Sequence, residues 1–167
     1  MSLRFEPADA EFAGRVRASF ARQQVMAFIG ARMTRIEPGL VEIELPFRPE
    51  LTQQHGFFHA GITSTIADSA GGYAGYTLFP ADSSVLTVEY KINLLAPADG
   101  ERLVATGRVV KPGRNLTICE LAVVAVKNGE ETACAHGLQT LMCLHGKPDA
   151  HSPSPLVGEG GTRVAGG

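Results

Sequence analysis

The sequence predicts an α+β domain in which an antiparallel sheet carries one long helix on its face. Two observations predict it. One helical pattern runs from Phe58 to about Leu78, with strand-like runs before and after it. Those runs are joined by turn residues: Glu37-Pro38-Gly39, Lys111-Pro112-Gly113-Arg114-Asn115 and Lys127-Asn128-Gly129-Glu130. The 167 residues suit one domain, and at 44% hydrophobic they can bury a core without disulfides or metal.

Residues 9–28 read as an extra N-terminal helix. Phe12, Val16 and Phe20 recur every four positions between Arg15, Arg17 and Arg22, and Gly30 is the stop. Strands at Arg32–Ile36 and Leu40–Leu45 follow. In the second, Val41, Ile43 and Leu45 alternate with Glu42 and Glu44, so one face is buried and the other wet. The long helix carries an apolar stripe, Ile62, Ile66, Ala70 and Tyr73, ending at Thr77. A second stripe holds Gly61, Ser64 or Thr65, Asp68, Gly71 or Gly72, and Gly75. Each interior glycine costs about 1 kcal/mol, so something approaches this face closely. Tight packing on the sheet and entry of a partner loop or substrate are both open.

After Phe79-Pro80, the run Ser84–Leu95 alternates. Leu86, Val88, Tyr90, Ile92 and Leu94 fall on one side; Thr87, Glu89, Lys91 and Asn93 fall on the other. Leu103–Val110, Leu116–Val126 and Glu131–Leu144 complete the strands. The domain is expected over residues 1–145. From Gly146 to Gly167 the composition shifts to Pro, Ser and Gly, which reads as a flexible tail with no catalytic part.

A net charge of −2 argues against a nucleic-acid binder. No apolar run approaches the ~20 residues of a membrane span, and the N-terminus lacks the apolar core of a signal peptide. Cys119, Cys134 and Cys143 are odd in number, lack CxxC spacing and sit in apolar runs. They read as reduced core residues of a cytoplasmic protein. The sheet's open face and edges call for a homo-oligomer.

Chemistry concentrates between Gln53 and Asp68. A polar loop, Gln53-Gln54-His55-Gly56-Phe57-Phe58-His59, enters the long helix at Ala60-Gly61, and the helix carries a single acid, Asp68. A carboxylate on a mostly apolar helix is exposed, paired or used. His55 and His59 are four apart, a spacing zinc sites also use, but Gly56 breaks the helix between them and no cysteine cluster supports a metal. No metal and no redox cofactor is expected. Ala60 and Asp68 lie eight positions apart, about 12 Å along a helix. One small reacting group cannot easily touch both in the same subunit. If both act on it, they come from different subunits.

The pattern Gln53, His59-Ala60-Gly61, Asp68 resembles the hotdog-fold acyl-CoA thioesterases. It is most similar to the PaaI-like (phenylacetic-acid-degradation) thioesterases and the related 4-hydroxybenzoyl-CoA type. The resemblance covers about residues 40 to 144. It includes Asp68-Ser69-Ala70-Gly71-Gly72, the run Leu86 to Pro97 and the Lys-Pro-Gly-Arg turn. It implies a hotdog fold, an antiparallel sheet wrapped around the long central helix. It also implies hydrolysis of an acyl-CoA to free acid and coenzyme A, with coenzyme A as part of the substrate. The implied assembly is a homodimer with a cross-subunit active site, pairing into a homotetramer.

Carried over position by position, the resemblance implies Asp68 as general base or nucleophile. Ala60 matches the position whose backbone N–H polarises the thioester carbonyl at the helix start. The family usually has glycine there; alanine keeps the N–H and narrows the space beside it. Gln53 matches the amide that assists the carbonyl or positions water, His59 the histidine that shapes the loop, and Thr87 a hydroxyl that places water. Gly61, Lys111 and Arg114 are candidates for contacts with coenzyme A. Phe57 and Phe58, with Tyr73, are candidates for an apolar or aromatic acyl pocket, or else core. Two other functions share these features. One is hydration or dehydration of a thioester-bound acyl chain, which other hotdog proteins perform with a His and an acid. The other is a non-catalytic acyl-CoA-binding module.

Overall fold

A computed structural model describes residues 5–149. In chain order its elements are α1 (Phe12–Phe20), α2 (Gln24–Ile29), β1 (Arg32–Glu37), β2 (Leu40–Pro46), a 3-10 turn (Pro49–Leu51), α3 (Ala60–Tyr76), β3 (Ser83–Leu94), β4 (Arg102–Lys111), β5 (Leu116–Lys127) and β6 (Glu130–His145). The six strands form one antiparallel sheet in the order β1-β2-β4-β5-β6-β3, leaving β1 and β3 at the edges. The part of the expected tail from residue 150 onward lies outside the described residues.

Helix α3 lies along the inner face of the sheet because its small and apolar residues face it. Ile66, Ala70 and Ala74 are fully buried, and burying the Ile66 side chain contributes roughly 1.5–3 kcal/mol. Glycines set the distance. A Cβ at Gly107 of β4 would stand 2.2 Å from the Ala70 carbonyl oxygen; one at Gly75 would stand 2.4 Å from Leu141. The glycine stripe is therefore largely a helix–sheet seam. Gly61 and Gly72 are outside the seam: a Cβ at Gly61 would meet the His59 ring, and nothing lies within 4 Å of where the Gly72 Cβ would be.

Two expectations are corrected. The helix read over residues 9–28 is broken into α1 and α2, with Gln23 extended between them (ψ 100°). The break lets Gln23 turn inward, where its Oε1 accepts the Ser69 hydroxyl at 3.2 Å. Gly30 ends α2 in the left-handed region (φ 82°), as a helix stop does.

The second correction concerns β3, whose pairing with β6 shifts register between Thr87 and Glu89. Side chains of directly paired residues share a face. Thr87 opposes Leu141, and Tyr90, Ile92 and Leu94 oppose Gln139, Gly137 and Ala135. A β-bulge at Val88 therefore places Thr87 on the inner face together with Tyr90, Ile92 and Leu94. Regular alternation would have separated them.

The turns behave as their residues require. Asn128 (φ 53°) and Gly129 (φ 81°) both take positive φ in the β5–β6 hairpin. Thr77, the polar end of the apolar stripe, accepts the Gly39 N–H at 2.7 Å and so ties the β1–β2 turn to the end of α3. Arg15 docks α1 on the same end. It pairs with Asp9 at 2.8 Å, donates to the Phe79 carbonyl at 2.8 Å and lies 4.2 Å from the Tyr76 ring centre.

Candidate active site

Asp68 sits two turns into α3, half-buried, on the side of the helix facing β3 and β6. Its Oδ1 accepts two hydrogen bonds, from the Thr87 hydroxyl at 2.9 Å and from the Gln139 amide at 2.6 Å. The same amide nitrogen lies 3.1 Å from the Asp68 backbone oxygen and 3.1 Å from Thr87 Oγ1. Oδ2 has no hydrogen-bond partner among the described residues, and Asp68 lines a cleft of about 480 Å³. Gln23, Ser69, Gly72, Tyr73 and Val85 help form its walls. Tyr73 belongs to this cleft, with its hydroxyl 3.1 Å from Ser19 Oγ. Burial pushes the Tyr73 phenol up to about 12, so it is a neutral hydrogen-bonding group at ordinary pH.

The start of α3 builds a second cleft, of about 470 Å³, from Gln53, His55, Phe57, Phe58, Ala60 and Thr63 on one side and Leu94–Ala98 on the other. The loop before the helix is held by its own backbone. Gln53 N–H donates to the Phe57 carbonyl at 2.9 Å, Phe58 N–H to Ala98 at 3.1 Å and His59 N–H to Leu51 at 2.9 Å. Gly56 turns it with φ 84°. Gln53 turns its own Oε1 back to accept the His55 N–H.

His59 is the helix cap: its Nδ1 accepts the Gly61 N–H at 2.9 Å. Gly61 suits that cap, since a Cβ there would stand 3.0 Å from the His59 ring. Capping leaves the Ala60 N–H at the first helical position with no partner among the described residues. An unpaired N–H at a helix N-terminus, with the dipole behind it, suits a developing negative charge.

The two clefts share no lining residue. The single chain thus joins Asp68 to Thr87, and Gln53 to Ala60, but does not bring the two pairs together. Phe57 lines the helix-start cleft half-buried. Phe58 is 3% exposed and packs edge-on against Phe47 at 5.4 Å, so it serves mostly as core. Lys111 and Arg114 are exposed around the β4–β5 turn and line neither cleft. Among the described residues, no three His, Cys, Asp or Glu side chains group as metal ligands.

Residues 55–132 match the family model of the thioesterase superfamily. The crystal structure of a thioesterase family protein from Silicibacter pomeroyi is 52% identical and superposes with a TM-score of 0.80, over 81% of this chain and 99% of that one. The chain belongs to the thioesterase superfamily. The proofreading thioesterase EntH of Klebsiella pneumoniae is similar too, 26% identical over 117 residues, 70% of this chain and 85% of EntH. The E. coli PaaI protein of the phenylacetic acid degradation operon shares the fold at a TM-score of 0.73 and 15% identity, over 84% of this chain and 99% of PaaI. The fold is thus the hotdog of these thioesterases, and thioester hydrolysis is the activity to which the family belongs.

In this thioesterase, the contact that sequence reasoning missed is Gln139. It is fully buried at the middle of β6, between Leu138 and Thr140. The signal was present as a lone amide in alternation with Ala135, Gly137, Leu141 and Cys143, the apolar or small residues of one face of the strand. Alternation places it on the inner face with Leu141, against the helix face that carries Asp68.

Proposed function

We propose that this protein hydrolyses an acyl-CoA thioester to free acid and coenzyme A. The observation that carries the reading is the free Oδ2 of Asp68, on a carboxylate whose other oxygen is already held by Thr87 and Gln139. Oδ2 is free to take a proton from water attacking the thioester carbonyl, or to attack that carbonyl itself. The free Ala60 N–H supplies the complementary charge for the carbonyl oxygen, with Gln53 beside it.

The two groups occupy separate clefts of one chain. In this reading a homodimer, paired further into a homotetramer, brings the Ala60 end of one subunit to the Asp68 of its partner. Lys111 and Arg114, exposed and cationic, take the coenzyme A phosphates, and Phe57 borders the acyl group. The reaction asks for no metal or redox cofactor. Three free, buried cysteines and the absence of any described helix long and apolar enough to cross a membrane fit a cytoplasmic enzyme. Hydration of an acyl chain fits less well, because the His59 ring nitrogen facing the helix is engaged in the cap.

The test is release of free thiol from a panel of acyl-CoAs of graded length and aromaticity, with Asp68→Asn alongside. Wild-type release that disappears in the variant, with oligomer size unchanged, supports the reading. Full activity in the variant sinks it.

A further inference from the structure

We propose that Gln139 is the positioning residue of this site. Its amide fixes Oδ1 of Asp68 from beneath the helix, so that only Oδ2 is left to act in the cleft. The inference rests on Asp68 being the acting carboxylate.

The arrangement is more specific than a buried glutamine finding partners. The three oxygens around Nε2, Asp68 Oδ1 at 2.6 Å, Asp68 O at 3.1 Å and Thr87 Oγ1 at 3.1 Å, belong to two different elements. Two of them are acceptors only, which fixes the nitrogen, not the oxygen, toward Asp68. The orientation carries a penalty elsewhere. Gln139 Oε1 is buried with no hydrogen-bond partner among the described residues, and an unsatisfied buried acceptor destabilises a fold. A core amide selected for stability alone should not be left in this state.

The helix has a seat for that oxygen. A Cβ at Gly71 would stand 2.0 Å from Oε1 and 2.4 Å from Leu121. Only a glycine, with no Cβ, leaves room for the oxygen there. Gly71 therefore has a second purpose besides the seam: it lets the Gln139 amide reach the backbone and carboxylate of Asp68 three residues earlier on the same helix. Thr87, arriving from the bulged edge strand, supplies the second donor to the same oxygen. Two donors from two strands define the plane of the carboxylate and direct Oδ2 outward. Holding the acting group within a narrow range of orientations is worth large factors in rate while leaving substrate affinity alone.

The experiment compares Gln139→Met and Gln139→Glu with wild type and Asp68→Asn, using thiol release from an acyl-CoA that the wild type turns over. Methionine matches the length and removes the donor. For Gln139→Met, kcat should fall about tenfold to a hundredfold, the effect of losing one hydrogen bond to a charged group. KM should stay within about twofold, and the melting transition should stay cooperative. A folded Gln139→Met with kcat within about twofold of wild type overturns the proposal.

If methionine prevents folding, the isosteric Gln139→Glu decides. Protonated, the new carboxyl can still donate to Oδ1; ionised, it repels Asp68. Activity relative to wild type should then decline as pH rises. A pH profile parallel to wild type overturns the proposal. Asp68→Asn separates the two levels: if it remains active, the reading of Asp68 itself is wrong. If it is inactive while Gln139→Met is fully active, only the positioning role is wrong.

Discussion

The Thr87 hydroxyl donates to Oδ1 of Asp68 at 2.9 Å, joining the edge strand to the central helix. Thr87 faces inward opposite Leu141, immediately before the bulge at Val88 changes the register of β3. Thr87→Val keeps the shape and removes the donor. In thiol-release kinetics, kcat should fall about tenfold, with a melting temperature close to wild type. An unchanged kcat would separate Thr87 from the reaction.

Ala60 can be tested at its nitrogen without disturbing the helix. Proline is well suited to the first helical position, and the preceding residue, His59, already has the extended backbone (φ −65°, ψ 138°) that proline asks of its neighbour. Ala60→Pro should leave helix content and melting temperature near wild type while lowering kcat about a hundredfold to a thousandfold. Activity retained in a well-folded Ala60→Pro enzyme would rule out the Ala60 N–H as the group that polarises the carbonyl.

The adjacent glycines Gly71 and Gly72 should respond in opposite directions. At Gly71 a methyl group collides with Gln139 and Leu121; at Gly72 it meets nothing within 4 Å. Gly71→Ala should destabilise by about 1–3 kcal/mol through overpacking. Gly72→Ala should stabilise by up to about 1 kcal/mol through helix propensity. Urea unfolding of the two variants measures both, and equal effects would contradict the packing described for the seam.

The buried thiols predict an alkaline limit. Burial pushes Cys119 up to about 12 and Cys134 up to about 11 from an ordinary value of 9.0. Folding holds these groups protonated, so their contribution to stability is complete below pH 9 and is lost as pH rises toward 11 and 12. Unfolding free energy measured across that range should decline, and Cys119→Ala should show a shallower decline than wild type. The same slope in both would remove Cys119 as a cause.

Elements with strong local signals could be read from the sequence. The apolar stripe from Ile62 to Thr77, the Asn128-Gly129 turn and the alternation of Val41, Ile43 and Leu45 each rest on residues a few positions apart. The structure places all three as expected. Asp68 stood out for a similar reason: one acid on an apolar helix. The split between α1 and α2 was not legible because it is set by a distant contact, from Gln23 to Ser69. The bulge at Val88 was hidden for a related reason, since strand alternation continues in the sequence whether or not the ladder skips a residue. Gln139 had a visible signal, an amide on the same face as Ala135, Gly137, Leu141 and Cys143. Its meaning depended on pairing β6 beside β3 and under α3, which long-range topology decides.

The bulge also divides β3 into two segments that answer to different neighbours. Before Val88, the inward positions Val85 and Thr87 face Leu141 and Cys143 of β6, and Thr87 holds the carboxylate. After it, Tyr90, Ile92 and Leu94 reach the inner face by a shifted count, and Leu94 borders the helix-start cleft. Removing that single residue would reverse the facing of one segment against the other. The extra residue thus works as a phase shifter: one continuous strand contributes a wall to each cleft, and the spacing between its two contributions is fixed by the length of the chain.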